Sequence, residues 1–140
     1  MFTGEHRHNL DAKNRLFIPA KFREELEEVF VIAKPLRGNC LRICSEKEWE
    51  KYMEPIYEMP DEENLAIIRK LHRQALQVSP DAQGRVVLTN ELLATVGIQK
   101  SVVIIGCGRY IEIFSEEGYN AMIDEEDTSN MLQKLSKVKR

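Results

Sequence analysis

The chain has 140 residues, 20 of them Lys or Arg and 23 Asp or Glu, for a net charge of −3, with 43% apolar and 31% charged residues. That balance belongs to a folded soluble chain rather than a disordered one, and the length allows one or two small domains with a sizeable core. No apolar run approaches the ~20 residues that span a bilayer, the opening MFTGEHRHNLD lacks the apolar stretch of a signal peptide, and three cysteines do not make a disulfide framework. The expected compartment is therefore the cytoplasm, with no membrane partner.

Taken in chain order, residues 5–10 read as a short strand that leads into the turn Asp11-Ala-Lys-Asn-Arg15 and a second apolar strand. Pro19 suits the first position of a helix running through AKFREELEE. Strands 29–33 and 40–44 follow, joined by Pro35-Leu-Arg-Gly-Asn39 in hairpin chemistry. A helix opens at Ser45, where Ser45 and Glu48 fit a capping box. Pro60-Asp61 starts another, to about Gln74, with Leu65, Ile68, Leu71 and Ala75 as its apolar stripe and Arg69, Lys70 and Arg73 off it. The same series then recurs: a strand at 75–79, the turn Asp81-Ala-Gln-Gly-Arg85, and a helix capped by Thr89 and stopped near Gly97. Strands 102–106 and 110–114 flank Gly106-Cys-Gly108, and Ser115 opens a helix whose cap is weakened by Gly118 at the partner position. Beyond Asp124 the chain turns polar, and its Lys-rich end is expected to fray.

The recurrence is an internal repeat. At an offset of seventy positions Asp11–Arg15 falls on Asp81–Arg85, Leu16 on Val86, Ile18 on Leu88, Phe22 on Leu92 and Leu26 on Val96. With a three-residue gap Val29–Ile32 meets Val102–Ile105. Leu41-Arg-Ile-Cys-Ser-Glu46 then meets Ile111-Glu-Ile-Phe-Ser-Glu116 at the original offset, and Trp49 meets Tyr119. The division that follows is a first repeat over 1–55, a connecting helix over 56–74, a second repeat over 75–125 and a basic flexible tail over 126–140.

Net charge hides a pattern. Residues 1–23 hold five basic and two acidic residues, 24–66 five and twelve, 67–85 four and one, 86–127 two and eight, and 128–140 four and none. Both Asp-x-x-x-Arg turns thus lie in locally basic segments, while acidic ones separate them.

The turn itself has a physical reading. An aspartate at its start can cap backbone N–H groups two or three residues on. The fourth position calls for positive φ, which Gly84 adopts freely and Asn14 tolerates. Such a turn fixes the direction of Arg15 or Arg85, whose planar fork suits phosphate or the guanine edge. Lys13 and Gln83 share the third position, and either can reach phosphates or bases. Read blandly, each arginine pairs only with its own aspartate. Arg7, Lys21 and Arg23 lie in the same basic segment. Arg7 counts as a candidate phosphate contact, whereas Lys21 and Arg23 read better as the polar face of the first helix.

These residues resemble the MraZ family of bacterial transcriptional regulators. The resemblance rests on Met1-Phe-x-Gly-Glu5, Leu10-Asp-x-Lys-x-Arg15, Ile18-Pro-x-Lys-Phe-Arg23, Trp49 and Asp81-x-x-Gly-Arg85, and covers the chain to about Tyr119. It implies an α+β fold, mainly β with short helices, in which two tandem AbrB-like swapped-hairpin modules form a pseudo-two-fold double barrel. It also implies a nucleoid-associated repressor that binds double-stranded promoter DNA ahead of its own cell-division and cell-wall operon. The same resemblance implies a homo-oligomeric ring of the octamer or dodecamer class. By position, Lys13, Asn14 and Arg15, with Gln83, Gly84 and Arg85, inherit the DNA-facing role, and Asp11 and Asp81 hold the turns. Asn14 departs from the usual Gly, and Thr89 stands where Pro19 has its counterpart.

Other chemistry is weak in this sequence. His6, His8, Cys40 and Cys44 tempt a metal reading, but no second paired ligand set completes a tetrahedral site, so no metal is expected. Cys107 between two glycines is expected to be exposed. No phosphate loop, G-x-S-x-G or other nucleophile motif is present, so neither an enzyme, a cofactor nor a small-molecule substrate is expected. Trp49, Tyr52 and Met53 fit a core or subunit interface. The competing functional class is a protein–protein assembly module of the same fold that has lost DNA binding.

Overall fold

The computed structural model describes residues 1–138. Its elements are β1 (Glu5–Asn9), β2 (Arg15–Phe17), α1 (Ala20–Leu26), β3 (Phe30–Ala33), β4 (Leu41–Ser45), α2 (Glu46–Tyr57) and α3 (Asp61–Arg73) in the first half. The second half holds β5 (Ala75–Val78), β6 (Arg85–Val87), α4 (Asn90–Ala94), β7 (Ser101–Gly106), β8 (Ile111–Ser115), α5 (Glu116–Asp124) and α6 (Thr128–Ser136). The fold is α+β: antiparallel sheets form the frame, although helices hold more residues than strands. No helix among the described residues is long and apolar enough to cross a membrane.

Strand order in the six-stranded sheet is β1-β7-β8-β4-β3-β5, and β2 pairs with β6 in a separate ribbon. The halves have therefore exchanged strands: β1 of the first pairs with β7 of the second, and β5 of the second with β3 of the first. This is the swapped-hairpin arrangement. Two registers mark its pseudo-two-fold axis. Leu16 lies opposite Val86 in the ribbon, and Arg42 opposite Glu112 where β4 meets β8; each pair is seventy positions apart, so each sits on the axis.

Period-two alternation gives the sheet two apolar faces. Phe30, Ile32, Leu41, Ile43, Val102, Ile104, Ile111 and Ile113 point towards the ribbon and pack with Leu16, Ile18, Phe22, Val86, Leu88 and Leu92 in one core shared by both halves. Val31, Ala33 and Cys44 point the other way, onto Trp49, Met53, Ile56 and Leu71 of α2 and α3.

The three hydroxyl N-caps form as expected, while the Glu48 carboxylate of the expected capping box pairs with Lys51 instead. The hydroxyls of Ser45, Thr89 and Ser115 each accept a bond from the amide three residues on, at 3.1, 3.2 and 2.9 Å. Pro19 sits one residue earlier than expected, at the N-cap, because its carbonyl already accepts from the Phe22 and Arg23 amides.

Two expectations are corrected. On α3, Leu65 is 46% exposed and Asn64 takes its place in the interface, since its amide donates to the carbonyls of Ile56 and Met59. Ala75 belongs to β5, outside that helix. The end expected as a flexible tail is helical over Thr128–Ser136, started by Asp127, whose carboxylate accepts from the Asn130 amide. Lys139 and Arg140 lie outside the described residues.

Candidate nucleic-acid interface

Each Asp-x-x-x-Arg turn is closed by the same set of bonds. Asp11 Oδ1 accepts from the amides of Lys13 (2.9 Å) and Arg15 (3.0 Å), and its Oδ2 accepts from Arg15 Nε at 2.6 Å. Asp81 does the same for Gln83, Arg85 and Arg85 Nε, at 2.9, 2.9 and 3.0 Å. Asn14 has φ +56° and Gly84 φ +81°, the left-handed conformation that the turn demands at its fourth position. The turns are then stitched across the axis, Ile18 N–H donating to the Gly84 carbonyl and Leu88 N–H to the Asn14 carbonyl, both at 2.9 Å.

Electrostatics reinforce this geometry. The Arg15 amide is the main reason Asp11 is held below the ordinary carboxylate range, aided by the Arg15 side chain and the Lys13 amide against partial desolvation. Asp81 is lowered in the same way, chiefly by the Arg85 amide. With Nε occupied by the aspartate, each guanidinium keeps its terminal nitrogens for another partner. Arg15 and Arg85 side chains are 27% and 28% exposed, and Arg85 Nη1 lies 3.9 Å from Asp11 Oδ2, so the four charges form one cluster. Register places Arg15 across from Val87 and Phe17 across from Arg85, all on the outer face of the ribbon.

Not every candidate residue joins this cluster. Lys13 and Gln83 are exposed at the turn tips. Asn14 is half-buried and donates to Asn90 Oδ1 at 2.6 Å. Gly84 is buried, so its part is conformational. Arg7 is elsewhere: His6 and His8 of the same strand face Phe22 and Phe17, so Arg7 projects from the opposite side of the sheet, over the Tyr119 ring at 5.0 Å.

Arg23 is the residue that sequence reasoning misplaced. Its Nε donates to the Ile18 carbonyl at 2.9 Å and its guanidinium covers Gly84 so closely that a Cβ there would lie 2.5 Å from Arg23 Cζ. Its place in the first basic segment gave no pointer to this contact, because that segment carries the Asn14 turn and Gly84 lies in the other. Lys21 reaches Thr3 Oγ1 instead. The metal candidates are packed apart, since His6 lies against Phe22 and His8 against Phe17 of the ribbon, while Cys44 faces α2. Cys107 is half-buried, not exposed, and shares the Glu112 carboxylate with Cys40 at 3.5 and 3.2 Å.

Comparison with known proteins agrees with the repeat. The family model described as "MraZ protein, putative antitoxin-like" matches the chain twice, over residues 1–67 and 71–140. The chain belongs to the MraZ family. Relatives named "Transcriptional regulator MraZ" include one from Carboxydothermus hydrogenoformans, 43% identical, with 86% of this chain and 85% of the relative covered. Another, from Clostridium tetani, is 37% identical with 99% of each chain covered, and a third, from Leuconostoc mesenteroides, is 38% identical with 96% of each covered. The two MraZ matches fall on the two strand-exchanging halves, which fits tandem AbrB-like modules.

Proposed function

We propose that this chain is a transcriptional regulator that binds promoter DNA through its two arginine turns, in keeping with the name its relatives carry. The observation that carries the reading is the pair of turns stitched side by side, each with an arginine held by its own aspartate. A guanidinium already fixed in direction loses less conformational freedom on gripping a phosphate or a base edge. A two-stranded ribbon is also narrow enough for the major groove. Arg15 and Arg85 are the principal contacts, Lys13 and Gln83 flank them, and Arg23 buttresses the second turn. Arg7 is outside the interface.

One pair of turns offers few contacts, so binding gains from repetition. A homo-oligomeric ring presenting many identical turns to repeated promoter elements would act by effective concentration. Repression of its own cell-wall and division operon completes the reading. The test is a gel-shift titration on the promoter ahead of the chain's own operon at several salt concentrations. Neutralising three phosphates, one each for Lys13, Arg15 and Arg85, predicts a loss of about 40-fold between about 50 and 200 mM salt. Binding absent or insensitive to salt would favour an assembly module instead. Light scattering after size exclusion tests the ring, and a monomer at micromolar concentration would contradict it.

A further inference from the structure

On the side of the sheet opposite the arginine turns, a cavity of about 390 Å³ opens on the pseudo-two-fold axis. It is lined by Arg42, Glu48, Lys51 and Tyr52 of the first half and Cys107, Arg109 and Tyr110 of the second, with Cys44 at its floor. Arg42 lies between two of these rings, its guanidinium carbon 3.8 Å from the Tyr110 ring centroid and 5.2 Å from that of Tyr52. Tyr52 is fixed in place, because its hydroxyl accepts from the Leu36 amide at 3.0 Å.

The charges here do not balance. Glu112, across from Arg42 in the register, is taken by the thiols of Cys40 and Cys107. Glu48 is taken by Lys51 at 3.3 Å. Neither Arg42 nor Arg109 has a carboxylate within 4.0 Å among the described residues, and Arg42 Nε is shielded from solvent with no hydrogen-bond partner. A shielded guanidinium nitrogen left unpaired is costly, and burial is normally accompanied by a partner. An unpaired guanidinium walled by two aromatic rings, with the exposed Arg109 lining the same cavity, matches the chemistry of a small multivalent anion, a phosphorylated or polycarboxylate metabolite.

We propose that this cavity binds such an anion, gripped by Arg42 and Arg109 and bridging the two halves of the chain. It is distinct from the turns, which lie on the other side of the sheet. Calorimetric titration of the whole protein with pyrophosphate, and separately with citrate, at ionic strength held constant with sodium chloride, tests it. The expected result is saturable binding of at least one of these anions at one site per chain. That binding should weaken about tenfold or more in Arg42→Gln and in Arg109→Gln, and stay within about twofold of wild type in the Arg15→Ala, Arg85→Ala double variant. Circular dichroism checks that Arg42→Gln folds; should it not, the exposed Arg109 carries the test alone. Wild-type affinity in Arg109→Gln, loss of binding in the double turn variant, or no saturable binding of either anion to the wild type would overturn the proposal.

Discussion

Asn14 and Gly84 hold the same left-handed backbone by different means. Gly84 has no Cβ to clash, whereas Asn14 accepts the strain and ties its amide to Asn90. Gly84→Ala should therefore cost about 1 kcal/mol or more in urea unfolding, because it adds strain and displaces Arg23. Asn14→Gly should stay within about 0.5 kcal/mol, relief of strain offsetting the lost side-chain bond and the freer unfolded chain. The aspartates make a pH prediction. Both are held below their unfolded values, so their contribution is fully present above about pH 4 and is lost as pH falls through the lower folded value. Thermal melts from about pH 2 to 6 should show the Asp11→Asn, Asp81→Asn variant losing less stability on acidification than the wild type. These turns were legible because Asp, Gly and Arg at fixed spacing have local conformational meaning. Arg23 was not, since its contact with Gly84 spans 61 positions and depends on how two distant segments meet.

Helix α3 shows where periodicity stops being enough. A three-and-four spacing selects Leu65, Ile68 and Leu71, yet the helix rolls so that Asn64 enters and Leu65 leaves the contact with α2. The face that packs on α2 holds Ile67, Ile68 and Leu71 with Asn64, whose amide satisfies two carbonyls at the end of α2 and just beyond it. Leu71 is fully buried beside Trp49 and Met53, so Leu71→Ala should cost about 2–5 kcal/mol by chemical denaturation. Leu65→Ala should cost under about 0.5 kcal/mol. The last helix, α6, shows the opposite error. Its polar, Lys-rich composition suggested fraying, but Asp127 caps it, and Met131, Leu132 and Leu135 recur at helical spacing, although each is more than half exposed.

At the scale of the molecule, repeat detection predicted two units but could not predict that they trade strands. Offset matching is blind to partner choice, which depends on the β1–β7 and β3–β5 registers. A chain cut at residue 74 loses β5, β7 and β8 from its sheet and β6 from its ribbon, so it should fold only at concentrations where a second copy supplies them, as sedimentation and circular dichroism would report. Charge is likewise meaningful only by placement. A net −3 conceals basic residues beside both turns and acidic stretches elsewhere. The most direct measurement is fluorescence anisotropy of labelled promoter DNA with the folded Arg15→Ala, Arg85→Ala double variant beside the wild type, at one fixed salt concentration. The arginine turns predict a loss of affinity of at least about 10²-fold, with each single variant intermediate. Undiminished binding by the double variant would contradict the assignment of the interface.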